Sequence, residues 1–382
     1  MPCQPSADTP DTRLATRLAF LIAGFTVSCW APLVPFAQAR LQVDNGVLGL
    51  LLLCLGAGSV CAMLLTGTLS ARCGSRPIIL AGSVGMILDL PLLSLASSPP
   101  ALGAALFAFG ASLGSLDVAM NIHAVEVERA ARRPLMSGFH GLYSLGGFAG
   151  ATVMTVLLTL RLGAMPATLL CAALMAIAVF IAWPRFLRRS GPAPAPASVL
   201  PRGIVLLLAV LTGITFLTEG AVLDWGALLI TRAGLISVAH GGVGYVLFSI
   251  AMTIGRLSGD VVVARVGDRA TLFWGSLLAM GGVLLTVSAP LAPLAMLGFL
   301  CIGFGCSNIV PVLFRGAGTQ TVMPPGLAVA AISTVGYAGV LLGPAAIGFV
   351  ANATSLPLAF GLLAALLSMV TLSARVVAAR SG

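Results

Sequence analysis

Long apolar segments separated by short polar ones run along the whole chain. Each segment is about as long as the roughly 20 residues that an α-helix needs to cross the hydrocarbon core of a bilayer. The pattern therefore predicts an all-α integral membrane protein with about 12 transmembrane helices. Six segments fall in the first half of the chain, at about residues 15–37, 46–69, 77–97, 101–123, 135–159 and 165–183. Six more fall in the second half, at about residues 203–229, 241–262, 270–289, 292–314, 326–350 and 356–377.

The composition narrows the class of protein further. Hydrophobic residues make up 59% of the 382 residues and charged residues only 8%, whereas about 25% of the residues of a soluble domain are charged. These values exclude a soluble enzyme, a disordered chain and a nucleic-acid-binding protein. The sequence contains no phosphate-binding loop, nucleophile motif or zinc-binding helix, so we expect no enzymatic activity and no cofactor.

The eight cysteines do not indicate a metal site or a disulfide framework. Six of them lie inside the apolar segments, and no CxxC pair or Cys/His spacing suited to a metal occurs. Cysteine behaves as a small hydrophobic residue in such surroundings. We therefore expect packing residues and no bound metal.

The basic residues indicate how the chain is oriented in the membrane. All twenty are arginines, and one, Arg256, lies within a predicted span. Alternating spans place sixteen of the others on the side of the N-terminus and three on the opposite side. Because cytoplasmic loops are enriched in arginine, we expect a multi-pass protein of the bacterial inner membrane with both termini in the cytoplasm. The net charge of +9 then reflects topology and not nucleic-acid binding.

A polar segment divides the chain into two related halves. Residues 184–202 contain four arginines and a run of alternating Ala and Pro, which predicts a stiff, solvated linker. We therefore expect an N-terminal six-helix bundle at 1–183 and a C-terminal six-helix bundle at 203–382. The sequence ARCGSR at 71–76 and the sequence ARVGDR at 264–269 occupy corresponding places after the second and eighth spans. Such parallel repeats are an architecture of transporters.

The loop after the second span resembles a motif of the major facilitator superfamily. The residues Gly67, Arg72, Gly74 and Arg76 match the GxxxDRxGRR loop of that family, whereas Ala71 replaces its Asp. The stretch GVLLGP at 339–344 is a second match, in span 11. The resemblance covers nearly the whole chain and implies two pseudo-symmetric six-helix bundles. It also implies a cavity lined by spans 1, 4, 7 and 10, and solute movement by alternating access.

Sequences in spans 4, 5 and 7 are similar to a bacterial branch near the fucose-permease-type carriers. Span 5 lacks the Gly-Pro pair that marks many drug/proton antiporters, since it reads GGFAGA at 146–151. The resemblance implies a permease that moves a small polar solute together with protons as a symporter, and a sugar or related compound is the expected substrate class. Two alternatives remain open: an efflux antiporter for drugs or metabolites, and a non-transporting membrane sensor on a carrier fold.

Two helical stripes carry the acids that we consider first for proton or substrate binding. Span 4 places Gly110, Gly114, Asp117 and Asn121 on one face, and span 7 places Glu219 on a face with two threonines. An acid at membrane depth is costly and should face a cavity or a partner. The alternative for Asp117 is a hydrogen bond to a neighbouring span, and for Glu219 a wet position at the outer mouth.

Other polar residues are weaker candidates for the same role. Asp224 is followed by Trp225, which suggests the membrane interface. His140 shares a face with Ser137 and could relay protons, although a hydrogen-bonded packing role is the simpler interpretation. Asp89, His123 and His240 carry no firm role. The resemblance adds three neutral candidates for substrate binding, namely Trp30, Asn308 and Tyr337.

A further group is expected to brace the cytoplasmic face. We expect Arg256 and Asp260, four residues apart near the inner end of span 8, to form an ion pair along one helix, and a mobile gate is the alternative. The remaining gating candidates lie in the two repeated loops: Gly67, Arg72, Gly74, Arg76, Arg265, Gly267 and Arg269. No feature requires an oligomer, so we expect a monomer in a lipid bilayer whose partners are a small-molecule substrate and protons.

Overall fold

The computed structural model describes residues 8–43, 45–187, 200–236 and 243–379. The regular elements of these ranges are all helical. The first half contains α1 (Pro10–Ser28), α2 (Val34–Leu41), α3 (Asn45–Cys73), α4 (Ser75–Leu95), α5 (Pro99–Ala131), α6 (Met136–Thr159) and α7 (Ala164–Ala182). The second half contains α8 (Ile204–Arg232), α9 (Val243–Ser288), α10 (Ala292–Cys306), α11 (Ile309–Thr319), α12 (Pro325–Ala353) and α13 (Leu356–Ala379).

The predicted all-α membrane architecture is confirmed. Eleven segments of the described residues are long and apolar enough to cross a membrane. One of them, α9, has 46 residues and is interrupted at Gly267, whose backbone is not helical. This interruption divides α9 into the two spans that the sequence predicts at 241–262 and 270–289.

Two predicted spans are broken in the middle. Span 1 consists of α1, a turn at Cys29 and Trp30, a 3₁₀ turn at Ala31–Leu33 and then α2. Pro32 and Pro35 lack the N–H that a continuous helix would use, which explains the break. Span 10 is likewise divided at Ser307 and Asn308 into α10 and α11. Irregular backbone at membrane depth is tolerated where it is buried in protein or lines a cavity.

Span 4 is longer than predicted. The apolar run ends near residue 123, but α5 continues to Ala131 through Glu126, Glu128 and Arg129. Ser98 caps its start by accepting the N–H of Ala101, and Arg132 ends it in a left-handed conformation. The apolar run therefore located the span but not its polar extension.

The chain forms two compact units. The first comprises Met1–Arg133 and Leu142–Val199, and the second comprises Pro134–Gly141 and Leu200–Gly382. The second unit thus includes the segment with the first turn of α6. Of the predicted linker at 184–202, residues 188–199 lie outside the described residues, as does His240.

Each unit has its own set of packed helices. In the first unit α5 packs against α3 and α4, and α1 packs against α7. In the second unit α9 packs against α10 and α13, and α8 packs against α12. Small residues permit the closest contacts: a Cβ on Gly110 would lie 1.9 Å from the carbonyl oxygen of Leu55 in α3. Such close approach of backbones is a general feature of helix packing in membranes.

Candidate transport site

An ion pair joins the middles of two spanning helices in the second unit. Nη2 of Arg256 in α9 lies 3.3 Å from both carboxylate oxygens of Glu219 in α8. The side chain of Arg256 is 8% exposed and that of Glu219 is 19% exposed. The helical spacing had indicated Asp260 as the partner of Arg256 and had named none for Glu219. Arg256 also lies near the middle of the span before Gly267, not near its end.

The threonines that precede Glu219 are not available as ligands. The hydroxyl groups of Thr212, Thr215 and Thr218 each donate to the backbone carbonyl four residues earlier, at 2.8, 2.9 and 2.9 Å. All three side chains are fully buried. Of the stripe predicted in span 7, only Glu219 therefore presents a polar group to another helix.

Several titratable side chains lie close to this ion pair. Tyr245 of α9 interacts electrostatically with both Glu219 and Arg256, and so does Cys306 of α10. His140, in the first turns of α6, lies in the field of Arg256 and packs its ring 5.5 Å from that of Phe314. The pair is thus the centre of a cluster built from α6, α8, α9 and α10.

Asp224 follows Glu219 by five residues on α8 and is exposed. Tyr245 of α9 interacts electrostatically with Asp224 as well as with Glu219 and Arg256. The next residue, Trp225, packs close to Gly348 of α12. Of these two acids, Glu219 forms the ion pair with Arg256, and both lie in the electrostatic surroundings of Tyr245.

Asp260 contacts the start of α6, and its expected ion pair with Arg256 stays a prediction. Its Oδ2 accepts the N–H of Gly138 in the first turn of α6, at 3.0 Å. A carboxylate is favoured at a helix N-terminus, where the backbone N–H groups have no intrahelical acceptor. Asp260 thus acts as an acceptor for α6.

Asn308 spans the break between α10 and α11. Its Nδ2 donates to the carbonyl of Gly255 at 3.1 Å and to Ser307 Oγ at 3.0 Å. A Cβ on Gly259 would lie 1.8 Å from its Oδ1, so α9 must have a glycine there. Asn308 therefore fixes the broken span to α9, and its expected role as a substrate ligand stays a prediction. Tyr337, the other neutral candidate of this unit, lies half-buried in α12.

The first unit has its own polar cluster in α5. Nδ2 of Asn121 donates to the backbone carbonyl of Asp117 at 2.9 Å and lies 3.5 Å from its Oδ1. Asn121 is fully buried, and Asp117 is half-buried. Elsewhere in this unit Ser112 donates to Asp89 at 3.1 Å, and Trp30 is buried at the turn that follows α1.

His123 is a structural residue that the sequence analysis had left without a role. Its Nε2 accepts the N–H of Leu187 at 3.2 Å, and its Nδ1 lies 3.1 Å from Thr16 Oγ1. Because the Thr16 hydroxyl donates to the carbonyl of Thr12, Nδ1 must carry the proton. This fully buried neutral imidazole ties α1 and α5 to the chain that follows α7.

Comparison with known proteins assigns the chain to a family. The family model of the major facilitator superfamily matches residues 17–321. A transporter of Yersinia pestis, described as MFS-type, is 49% identical over 366 residues, which cover 96% of this chain and 95% of that protein. The chain belongs to the major facilitator superfamily. It is therefore a multi-pass membrane transporter of small molecules and not an enzyme.

Two solved structures of the superfamily share the fold over nearly the whole chain. The human organic anion transporter MFSD10 has a TM-score of 0.76 and 16% identity, and the match covers 96% of this chain and 100% of that one. The fucose:proton symporter of E. coli has a TM-score of 0.72 and 17% identity, covering 97% and 99%. At these identities the likeness concerns the fold alone.

The superfamily loop after α3 and its repeat in α9 have the same backbone geometry. Gly74 has φ 83° and ψ 164°, and Gly267 has φ 79° and ψ 164°. Only glycine adopts such a conformation readily, which explains why the two ARxGxR sequences share it. The arginines of both loops are exposed or half-exposed: Arg72, Arg76, Arg265 and Arg269. Gly67, the first residue of the motif, is buried in α3.

Two further ion pairs lie at helix ends. Arg315 of α11 donates to Asp268, the residue after Gly267, at 2.5 Å. Near the start of α1, Arg13 binds Asp8, and this hydrogen-bonded guanidinium lowers the pKa of Asp8 below its usual range. Among the described residues no group of three or more His, Cys, Asp or Glu side chains is placed to hold a metal ion.

Proposed function

We propose that this chain is a proton-coupled secondary transporter that moves a small polar solute by alternating access. In this proposal it works as a monomeric symporter in the bacterial inner membrane, with both termini in the cytoplasm. The single observation that carries the proposal is the ion pair of Glu219 and Arg256 in the middle of two spanning helices. The arginine bias of the loops supports the orientation.

The ion pair supports proton coupling because it combines a fixed cation with an acid that can change its charge. Placing a charged side chain at the centre of a spanning helix costs on the order of 2.5–3.5 kcal/mol. Arginine stays protonated in proteins, so a proton can only enter or leave the pair at Glu219. Protonation breaks the charge balance of the pair and thereby gives the protein two states of different energy.

The two structural neighbours support a polar solute. One is described as a fucose:proton symporter and the other as an organic anion transporter. We extend to this chain the coupling to protons that the first description names. Neither description fixes the solute, so a sugar and an organic anion are both substrate classes to test.

Solute-triggered proton movement in proteoliposomes tests this proposal. A pH-sensitive dye inside the vesicles would report proton entry when sugars, polyols, amino acids or organic acids are added outside. We expect a solute-specific signal that Glu219→Gln abolishes. The variant Asp117→Asn tests whether the acid of the first unit also takes part in proton coupling.

Asp11→Asn is the control, because Asp11 is an exposed acid at the start of α1, paired with Arg185. We expect this variant to retain the signal, and size-exclusion profiles should show that all variants are folded. A solute-specific signal that survives Glu219→Gln would contradict the role of the ion pair. A signal of opposite sign would indicate an efflux antiporter.

A further inference from the structure

We infer that α2, the second half of the broken span 1, is a hinged segment that Arg40 fastens to the end of α4. Release of Arg40 lets α2 move as one piece, while α1 stays packed in the first unit. This movement goes beyond the proposed function, which concerns the ion pair of the second unit. Three observations carry the inference: the hydrogen bonds of Arg40, the packing of α2 and the break before it.

Arg40 places all three of its guanidinium nitrogens on backbone carbonyls at one helix end. Its Nε donates to the carbonyl of Ala96 at 3.0 Å. Its Nη1 and Nη2 donate to the carbonyls of Ser94 and Leu93, both at 2.8 Å. Because α4 ends at Leu95, these carbonyls lie where a helix has no N–H groups of its own left to bind. A cation is also favoured there by the helix dipole, and hydrogen bonds from a charged donor are among the strong ones.

The end of α4 is itself held in place, so Arg40 binds to a fixed point. The hydroxyl of Ser94 donates to Sδ of Met165 in α7 at 3.3 Å and lies 3.3 Å from Oγ1 of Thr168. Thr168 is fully buried. The carbonyls that bind Arg40 therefore belong to a helix end that is joined to a second helix of the same unit.

The packing of α2 is weaker than that of α1. Among the described residues, the main backbone contacts of α2 are with the 3₁₀ turn at Ala31–Leu33 just before it, whereas α1 packs against α4, α5 and α7. Two amide side chains bond back to their own segment: Gln38 donates to the carbonyl of Val43 at 3.3 Å, and Gln42 to that of Ala39 at 2.8 Å. Segments with few packing contacts open at low free energy. Arg40 therefore supplies a strong attachment to a segment that packs weakly.

The break before α2 has the properties of a hinge. Pro32 and Pro35 lack the N–H groups that would continue the helix of α1 into α2, and hinges are commonly a few residues at the ends of elements. The indole Nε1 of Trp30 is buried there without a hydrogen-bond partner among the described residues. Because a buried donor without an acceptor is costly, the fastened arrangement carries a cost that the hydrogen bonds of Arg40 offset. The fastening does not depend on pH, since arginine keeps its charge.

Hydrogen exchange of the full-length protein in detergent tests the fastening. Arg40→Gln should raise the exchange rates of the α2 amides about tenfold or more, because three hydrogen bonds from a charged donor are lost. Arg40→Lys, which keeps the charge but not the planar fork of donors, should give a smaller increase. The amides of α1 should keep their wild-type rates in both variants. Arg161→Gln is the control, since Arg161 is an exposed arginine of the same unit, and it should behave like the wild type.

Single cysteines on two faces of α2 measure the movement itself. Ala37 is 1% exposed, whereas Ala39 is exposed. Ala37→Cys and Ala39→Cys would be treated with a water-soluble maleimide, and mass spectrometry of the labelled peptide would separate them from the native cysteines. Combination with Arg40→Gln should speed the labelling of Ala37→Cys about tenfold, in line with the loss of the charged hydrogen bonds. The labelling of Ala39→Cys should not change.

Three outcomes would overturn the inference. The first is equal exchange of the α2 amides in Arg40→Gln and the wild type. The second is a loss of protection confined to the last turn of α4, which would make Arg40 a cap of α4 alone. The third is a loss of protection throughout the first unit, which would make Arg40 a general structural residue. These measurements need neither a solute nor proton movement, so the inference and the proposed function fail separately.

Discussion

Two ion pairs of the second unit have the same chemistry but very different settings. Asp268 and Arg315 meet at 2.5 Å beside the interruption of α9, where the chain turns between two spans. Glu219 and Arg256 meet at 3.3 Å in the middle of two spans. The short pair lies beside a turn, whereas we propose that the long pair holds a charge that a proton can rebalance. Two arginine–acid pairs with the same residue types can thus have different roles, which depend on their depth in the membrane and on their geometry.

Substitution of each arginine in turn should separate the roles of the two ion pairs. The loss of flux in Arg256→Gln is the largest effect that we expect. Arg256→Gln should abolish solute-driven proton flux, because Glu219 then lacks the fixed cation that the proposed coupling requires. Arg315→Gln should retain the flux per folded molecule. Flux in proteoliposomes, normalised to the amount of folded protein, measures both. Equal losses in the two variants would show that both pairs are structural.

The short pair should contribute more to stability than to transport. Asp268→Asn removes the charge that Arg315 binds, so we expect a loss of about 1.5–3 kcal/mol in the free energy of unfolding. Thermal unfolding in detergent measures the loss, and Arg315→Gln, which removes the other partner of the short pair, should show a similar loss. If Asp268→Asn left the stability unchanged and reduced the flux, the assignment of roles would be reversed.

A substitution in the turn beside the short pair should have a smaller and more local effect on stability. Gly267→Ala places a side chain at φ 79°, and its Cβ would meet no atom within 4 Å. Only backbone strain acts there, so we expect a loss of about 1–2 kcal/mol in stability. Gly281→Ala is the matched control in the same helix, since its Cβ also meets nothing within 4 Å and its φ is not positive. A similar loss in both variants would refute strain at the turn.

The fold could be predicted well from the sequence, because each membrane helix corresponds to a continuous apolar segment. The interruption of α9 at Gly267 was implied by the ARxGxR repeat, and Pro32 explains the break in span 1. Polar helix ends were less predictable: α5 continues eight residues beyond its apolar run, because charged residues are compatible with a helix that leaves the bilayer.

The candidate site was predicted only in part. Glu219 and Arg256 were both recognised as ionisable residues at membrane depth, but they are 37 positions apart in sequence. Spacing along one helix favoured Asp260 as a partner of Arg256, which stays a prediction, but it could not reveal Glu219, which the packing of α8 against α9 brings to Arg256. His123 was missed for the same reason, since Thr16 and Leu187 lie on other elements.

The most direct test of the central role of Glu219 compares two modes of transport in one variant. Proteoliposomes with Glu219→Gln would be assayed for exchange of a labelled solute across the membrane and for its accumulation against a gradient when the outside is acidified. Our account predicts that exchange persists, because Glu219→Gln removes only the proton-carrying group, whereas accumulation driven by the pH gradient is lost. Accumulation at the wild-type level in this variant would contradict the account.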